Sequence, residues 1–350
     1  MSFKYSTGTV PGLFFLVLGV GFGCRSREPS AVAAQATDRE AVNAASTQAP
    51  RTPTQALGPA STQNPEPSSK QSQEPVVMHS ASELTWSYPQ TAIGPMRVVV
   101  SIPAHVAGER LPVLFAFHGR GEALKGPERG ARGWWDDYWL GKAIQKLAHP
   151  PLDPELFLGF ADPVRLQAMN ESLRARPYAG LIVVTPYTPD RLGGDDAFAA
   201  AKPLSAWVVD ELLPRVYRET PALGTYESTG IDGVSLGGRA AWAIGLSYPE
   251  KFGVVSGMQA AFDSEEGEWV ARVAEKAVKK KFALKLRLLT SGQDYYLEPS
   301  RALSARLTGL RVPHRFDVVR GTHSYTFNRG PGAYEMLLFH DRALRGLPAP

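Results

Sequence analysis

Cysteine is nearly missing from this chain: Cys24 is the only one in 350 residues, so no disulfide can close within it. Histidines and acids do not cluster at metal-ligand spacing. Asp136 and Asp137 stand without a histidine or cysteine beside them, and neither a metal nor a cofactor is expected. No apolar run is long enough to span a bilayer comfortably. Charge of one sign is not concentrated either. The formal net charge is +4, the basic residues are scattered, and the one run, Lys279-Lys280-Lys281, reads as a solvated helix end before a strand. A nucleic-acid partner is therefore not expected.

What is present begins with an unusual N-terminus. Lys4 precedes an apolar stretch, Val10 to Phe22, broken by Pro11 and glycines, and Cys24 follows at once. The layout reads as a lipoprotein-type signal over residues 1–23 with Cys24 lipidated after cleavage. Gly21 stands where leucine is usual and Phe22 is bulky, so a plain cleaved signal and an uncleaved anchor are the alternatives. Residues 24–82 are rich in Ala, Ser, Thr, Gln and Pro, with nearly balanced charge. Such a stretch cannot bury enough apolar surface to offset its ordering entropy, and reads as a disordered tether. The remainder, residues 83–350, is long and apolar enough for one large domain. The expected location is extracytoplasmic, on a membrane through the Cys24 lipid. Arg25 in place of aspartate favours the outer membrane, and a periplasmic or secreted protein is the other outcome.

The most informative segment is Gly233-Val234-Ser235-Leu236-Gly237-Gly238. It lies between a short apolar run, Thr229 to Asp232, and a helix-like stretch, Arg239 to Tyr248. A strand, a sharp turn and a helix place one serine at the apex, with φ > 0 expected there. Glycines two residues either side allow the close chain approach that such a turn needs. The pentapeptide alone is weak, since a serine between glycines also occurs in ordinary turns.

A nucleophilic serine needs a base, and the base needs an orienting acid. Phe282 to Thr290 reads as a buried strand that breaks into Ser291-Gly292-Gln293-Asp294. Phe316 to Val319 is a further apolar run, giving way to Arg320-Gly321-Thr322-His323, with a helix around Tyr334 to Leu344. Asp294 and His323 thus follow Ser235 on two later loops, each past a strand end. Asp263, after a strand from Val254 to Phe262, is the rival acid. The other histidines have plainer readings: His79 solvated, His105 and His149 at proline-rich turns, His314 after a proline at a strand start, and His340 half-buried on the last helix.

A tetrahedral oxyanion wants two backbone donors. Leu236 is one candidate. Pro112 to Phe117 is a compact apolar run ending in His118-Gly119-Arg120-Gly121, and the Arg120 main chain is the second candidate, with Gly121 next. His118 reads as a brace for that loop rather than a proton carrier. A plain glycine turn is the alternative.

From Ser101 to about Leu344 the chain resembles the α/β-hydrolases. Within that fold it is similar to the bacterial esterase family of enterochelin esterases, feruloyl esterases, S-formylglutathione hydrolases and mycolyltransferases. The segments that carry the resemblance are LFAFHGRG, GVSLGGRAAWAIGLSYPEKFGVVSGMQAAF, LTSGQDYY and VVRGTHSYTF. The resemblance implies a mostly parallel central sheet with helices on both faces. It implies Ser235 as nucleophile, His323 as base, Asp294 as its partner, and the Leu236 and Arg120 main chains for the oxyanion. Relatives often carry tryptophan just after the histidine, where this chain has Tyr325 and Phe327, which bears on substrate shape.

Early strands are expected over Leu84 to Tyr88, Met96 to Ile102, Pro112 to Phe117 and Leu181 to Thr185, and a broad helix over Ala197 to Val216. A helical, Trp-rich insertion is expected over about 125–178. Its cluster Trp134, Trp135, Tyr138 and Trp139 reads either as core or as one wall of a substrate cleft. The function expected from all this is hydrolysis of an ester, small or polymer-linked, through an acyl-enzyme. Acyl transfer or peptide cleavage by the same groups, and a non-catalytic tethered binding protein, are the alternatives.

Overall fold

Two five-residue runs, apolar but for Thr185, explain the centre of the molecule. Val113–Phe117 and Ile182–Pro186 are buried at every position, as strands must be when both faces of their sheet are covered. Val113, Phe115 and Phe117 join one core cluster, while Leu114 and Ala116 join another on the opposite face. The period of two along each strand divides one sheet between two cores.

In this computed structural model the described residues are 77–190, 197–263, 265–280 and 283–350. The expected signal peptide, the Cys24 lipidation site and most of the 24–82 tether lie outside them. The described residues belong to the compact unit Gln71–Pro350. Among them, no helix is long and apolar enough to cross a membrane.

The strands are β1 (Met78–His79), β2 (Ser82–Tyr88), β3 (Met96–Ile102), β4 (His105–Val106), β5 (Val113–Phe117), β6 (Ile182–Pro186), β7 (Thr229–Gly233), β8 (Val254–Met258), β9 (Lys285–Gln293) and β10 (Arg315–Thr322). β1 and β4 form a small antiparallel ribbon, so residues 78–79, expected within the tether, are paired with the domain. The 8-stranded sheet has the order β10-β9-β8-β7-β5-β6-β3-β2. It is parallel from β10 to β6, and β3 and β2 close it antiparallel. Helices Leu236–Ser247, Gly267–Lys279 and Leu297–Gly309 cover one face, while Leu140–Ala148, Pro163–Ala175 and Ala333–Ala343 cover the other. Fully buried Arg287 on β9 ties the sheet to that last helix, bonding Asp317 at 2.8 Å and Glu335 at 2.6 Å. With two acids on one buried guanidinium, removing either leaves Arg287 paired with the other.

Several boundaries differ from the sequence reading for identifiable reasons. β8 stops at Met258 rather than Phe262, because Gln259 takes φ +47 and turns the chain out of the ladder. β9 continues past Thr290, since Ser291 and Gln293 still register with Val319 and Thr322 of β10. The expected helix from Ala197 is divided into Ala197–Trp207, a wide π turn Val208–Leu212, and Leu213–Glu219. Pro214 lacks the N–H an unbroken α-helix would need there.

Candidate active site

Ser235 sits between β7 and the helix Leu236–Ser247 with φ +56 and ψ −117, a backbone state that costs a residue with a Cβ about 1–3 kcal/mol. Its neighbours hold it there. Ser235 N–H donates to the Met258 carbonyl at 2.9 Å, and Ala261 N–H donates back to the Ser235 carbonyl at 3.0 Å. A Cβ on Gly237 would lie 2.3 Å from the Phe117 carbonyl oxygen, so only glycine lets the turn settle against the end of β5.

His323 follows β10 directly. Its Nε2 lies 3.0 Å from Ser235 Oγ, and its Nδ1 lies 2.9 Å from Asp294 Oδ1. An ionised carboxylate only accepts, so Nδ1 carries the proton and Nε2 faces the serine as an acceptor. Asp294 is itself fixed. Its Oδ2 accepts from Thr290 Oγ1 at 2.7 Å and its Oδ1 also accepts from Tyr296 N–H at 3.0 Å. Beneath the histidine, Gln259 Nε2 donates to Ser291 Oγ at 2.7 Å and to the Thr322 carbonyl at 3.0 Å, clamping β9 to β10. Asp263 lies elsewhere: it is exposed, and its Oδ1 accepts from Glu265 N–H at 3.2 Å.

The candidate oxyanion donors open their helices. Leu236 is the first residue of Leu236–Ser247, and Arg120 is the first residue of a short helix, Arg120–Ala123. First-turn N–H groups have no intrahelical acceptor. The Arg120 guanidinium turns away to Asp190 at 2.9 Å, while the residue's body lines the cleft over Ser235. His118 is buried and held at both nitrogens, with Thr188 N–H donating to Nε2 at 2.9 Å and Nδ1 donating to the Gly119 carbonyl at 2.9 Å. Burial lowers its pKa to about 4, so it stays neutral and braces the loop.

The cleft encloses about 190 Å³. Tyr295, two-thirds exposed, tilts against the His323 ring at 4.2 Å, and Tyr325 faces the same space. The aromatic cluster of the insertion divides its duties. Trp134 is fully buried in the core, Trp135 Nε1 donates to Thr185 Oγ1 at 3.0 Å, and Tyr138 presents its hydroxyl to the cleft floor. The cations of Lys142 and Arg329 both lie over the Trp139 ring, at 5.1 and 4.8 Å from its centre. Glu122, a fully buried acid in the cleft lining, was not singled out by sequence, because no local pattern marks an isolated acid whose partners come from distant segments. His340 is completely buried rather than half-buried, since Asp232 gives it a polar partner at 3.0 Å in the core.

No family model and no curated protein matches this sequence. Solved structures do. A ferulic acid esterase superposes with a TM-score of 0.56 at 14% identity, covering 76% of this chain and 99% of its own. An S-formylglutathione hydrolase from Staphylococcus aureus gives 0.55 at 14% identity, over 75% of this chain and 100% of its own. Another, from Agrobacterium tumefaciens, gives 0.50 at 16% identity, over 75% and 96%. Likeness at such low identity speaks to architecture rather than to substrate. On that evidence, joined to the strand order, this chain has the α/β-hydrolase fold.

Proposed function

We propose that the protein is a serine carboxylic-ester hydrolase working through an acyl-enzyme. The observation that carries this reading is the relay from Ser235 Oγ to His323 Nε2 at 3.0 Å and from His323 Nδ1 to Asp294 at 2.9 Å, built on a serine held at φ +56 in an open cleft. Its fold neighbours include proteins named as esterases, which agrees with it.

In this mechanism His323 Nε2 takes the Ser235 proton as Oγ attacks the ester carbonyl. Asp294 keeps the imidazole in the productive tautomer and stabilises the imidazolium that forms. The Leu236 and Arg120 main-chain N–H groups receive the tetrahedral oxyanion. His323 then protonates the departing alcohol and activates the water that releases the acid, restoring Ser235. The substrate is an ester outside the cytoplasm, small or polymer-linked, reached by a domain tethered to a membrane through a lipid on Cys24.

The test is a fluorophosphonate probe read by intact mass on wild type and Ser235→Ala, with a p-nitrophenyl ester chain-length series. One adduct on wild type, none on the variant, and turnover of some ester is the expected result. A folded wild type that neither labels nor turns over any ester overturns the reading. For the anchor, Cys24→Ala is expected to move the protein from the membrane fraction to the soluble one.

A further inference from the structure

Behind the cleft, the Glu122 carboxylate sits at the centre of an arrangement that the triad does not use. Its residue is fully buried, yet it lines the same cleft as Ser235. Tyr138 donates its hydroxyl proton to Oε2 through a short hydrogen bond, and Tyr325 donates to Oε1 at 2.5 Å. Lys125 Nζ stands 3.5 Å from Oε1 and also bonds Asp137 at 2.7 Å. The space is cut to fit: a Cβ on Gly121 would lie 2.5 Å from the Tyr325 hydroxyl, and one on Gly133 would lie 2.3 Å from Glu122 Cγ.

The consequence falls on the main chain. With its proton committed to Glu122, Tyr138 Oη offers a lone pair, and Gly119 N–H donates to it at 3.2 Å. On the other side of the same residue, the Gly119 carbonyl accepts from His118 Nδ1 at 2.9 Å. That carbonyl shares a planar trans peptide with the Arg120 N–H, so fixing one end of the plane aims the other. The two peptides leading to Arg120 are thus held by two side chains, one of them oriented by Glu122.

We propose that Glu122 is a positioning residue for the oxyanion site: acting through Tyr138, it fixes the Gly119–Arg120 segment so that the Arg120 N–H meets the oxyanion. This rests on the serine-hydrolase reading and deepens it. A carboxylate suits the task because two tyrosine hydroxyls both donate to it, whereas a glutamine offers one acceptor and one donor. Burial, then the Glu122 charge, pushes the Tyr138 phenol well above its ordinary range, which keeps its proton in place as donor.

The experiment compares wild type, Tyr138→Phe, Glu122→Gln and Glu122→Ala. Fluorophosphonate titration counts active sites, and kcat and KM are measured on one p-nitrophenyl ester. Affinity for a trifluoromethyl ketone, whose serine adduct carries the oxyanion, is measured beside melting temperature. Tyr138→Phe, which keeps the ring that fills the core, is expected to lower kcat per titrated site about 10- to 100-fold, less than deleting a donor outright. Its KM should hold within about two-fold and its trifluoromethyl-ketone Ki should rise by the same factor as kcat/KM falls. Glu122→Ala should do at least as much, and Glu122→Gln should restore part of the loss. If the variants only melt earlier, with kcat per site and Ki unchanged, Glu122 is structural and the proposal is overturned while the serine-hydrolase reading stands. An inert, unlabelled wild type overturns both.

Discussion

Two histidine–aspartate pairs occur among the described residues, and they are nearly equal in length. His323 Nδ1 lies 2.9 Å from Asp294, and His340 Nε2 lies 3.0 Å from Asp232. What separates them is the second nitrogen. His323 turns Nε2 to Ser235 Oγ at 3.0 Å, at the floor of a cleft. His340 keeps Nδ1 in the core, without a hydrogen-bond partner among the described residues, pressed so close that a Cβ on Gly230 would lie 2.6 Å away. A base needs a proton to collect and room for a substrate; a buried pair with neither is a structural tie between β7 and the last helix. Asp232 stands only three positions before Ser235 in the chain, yet it is Asp294, 59 positions after that serine, whose carboxylate meets His323.

The comparison is broken most forcefully at Ser235 and His323. Changing either to alanine is expected to cut ester turnover by about 10⁴- to 10⁶-fold. Melting temperature should hold, read by scanning fluorimetry on the same samples. Next, Asp294→Asn is expected to cost about 10⁴-fold in kcat, because the amide favours the wrong imidazole tautomer. Asp232→Asn should leave kcat per active site within about two-fold of wild type. A comparable loss at Asp232 would erase the distinction between the pairs.

Stability should respond in the opposite sense. His340→Ala leaves the Asp232 carboxylate buried and unpaired, an expected loss of about 3–5 kcal/mol and a melting point roughly 10 °C lower. Turnover per titrated site should not change. A smaller effect belongs to His118, whose pKa is lowered from the usual 6.5 to about 4 by burial. Above pH 6.5 the histidine is neutral folded or unfolded, and its contribution is fully present. As pH falls towards 4 the unfolded chain takes up the proton and the folded one does not, so about 3 kcal/mol is lost across that window. Urea midpoints between pH 7.5 and 4.5 should carry this slope, and His118→Gln should flatten part of it.

Much of the fold was legible because the relevant signals are local. Val113–Phe117 is apolar at every position and Ile182–Pro186 at all but Thr185, the pattern of strands in a sheet covered on both faces. Gly233, Ser235 and Gly237 mark the elbow because their spacing is local, although what requires glycine at 237 is the distant Phe117 carbonyl. Asp294 and His323 could be placed past strand ends, although the ends moved, since polar Ser291-Gly292-Gln293 joined the ladder once β10 lay beside it. Residues 1–76, with the expected signal, Cys24 and nearly all of the tether, lie outside the described structure.

The chain's own sequence therefore determined the strand cores, the turn that carries Ser235, and the order serine, acid, histidine, because apolar periodicity and glycine spacing act over a few residues. Tertiary structure alone decided which acid faces His323, why Asp263 does not, that His340 is sealed, and that Glu122 meets Tyr138 and Tyr325 from segments 16 and 203 residues away. Those choices depend on which strand ends converge and on which polar atoms must find partners once water is excluded, and neither is written in any local stretch of sequence.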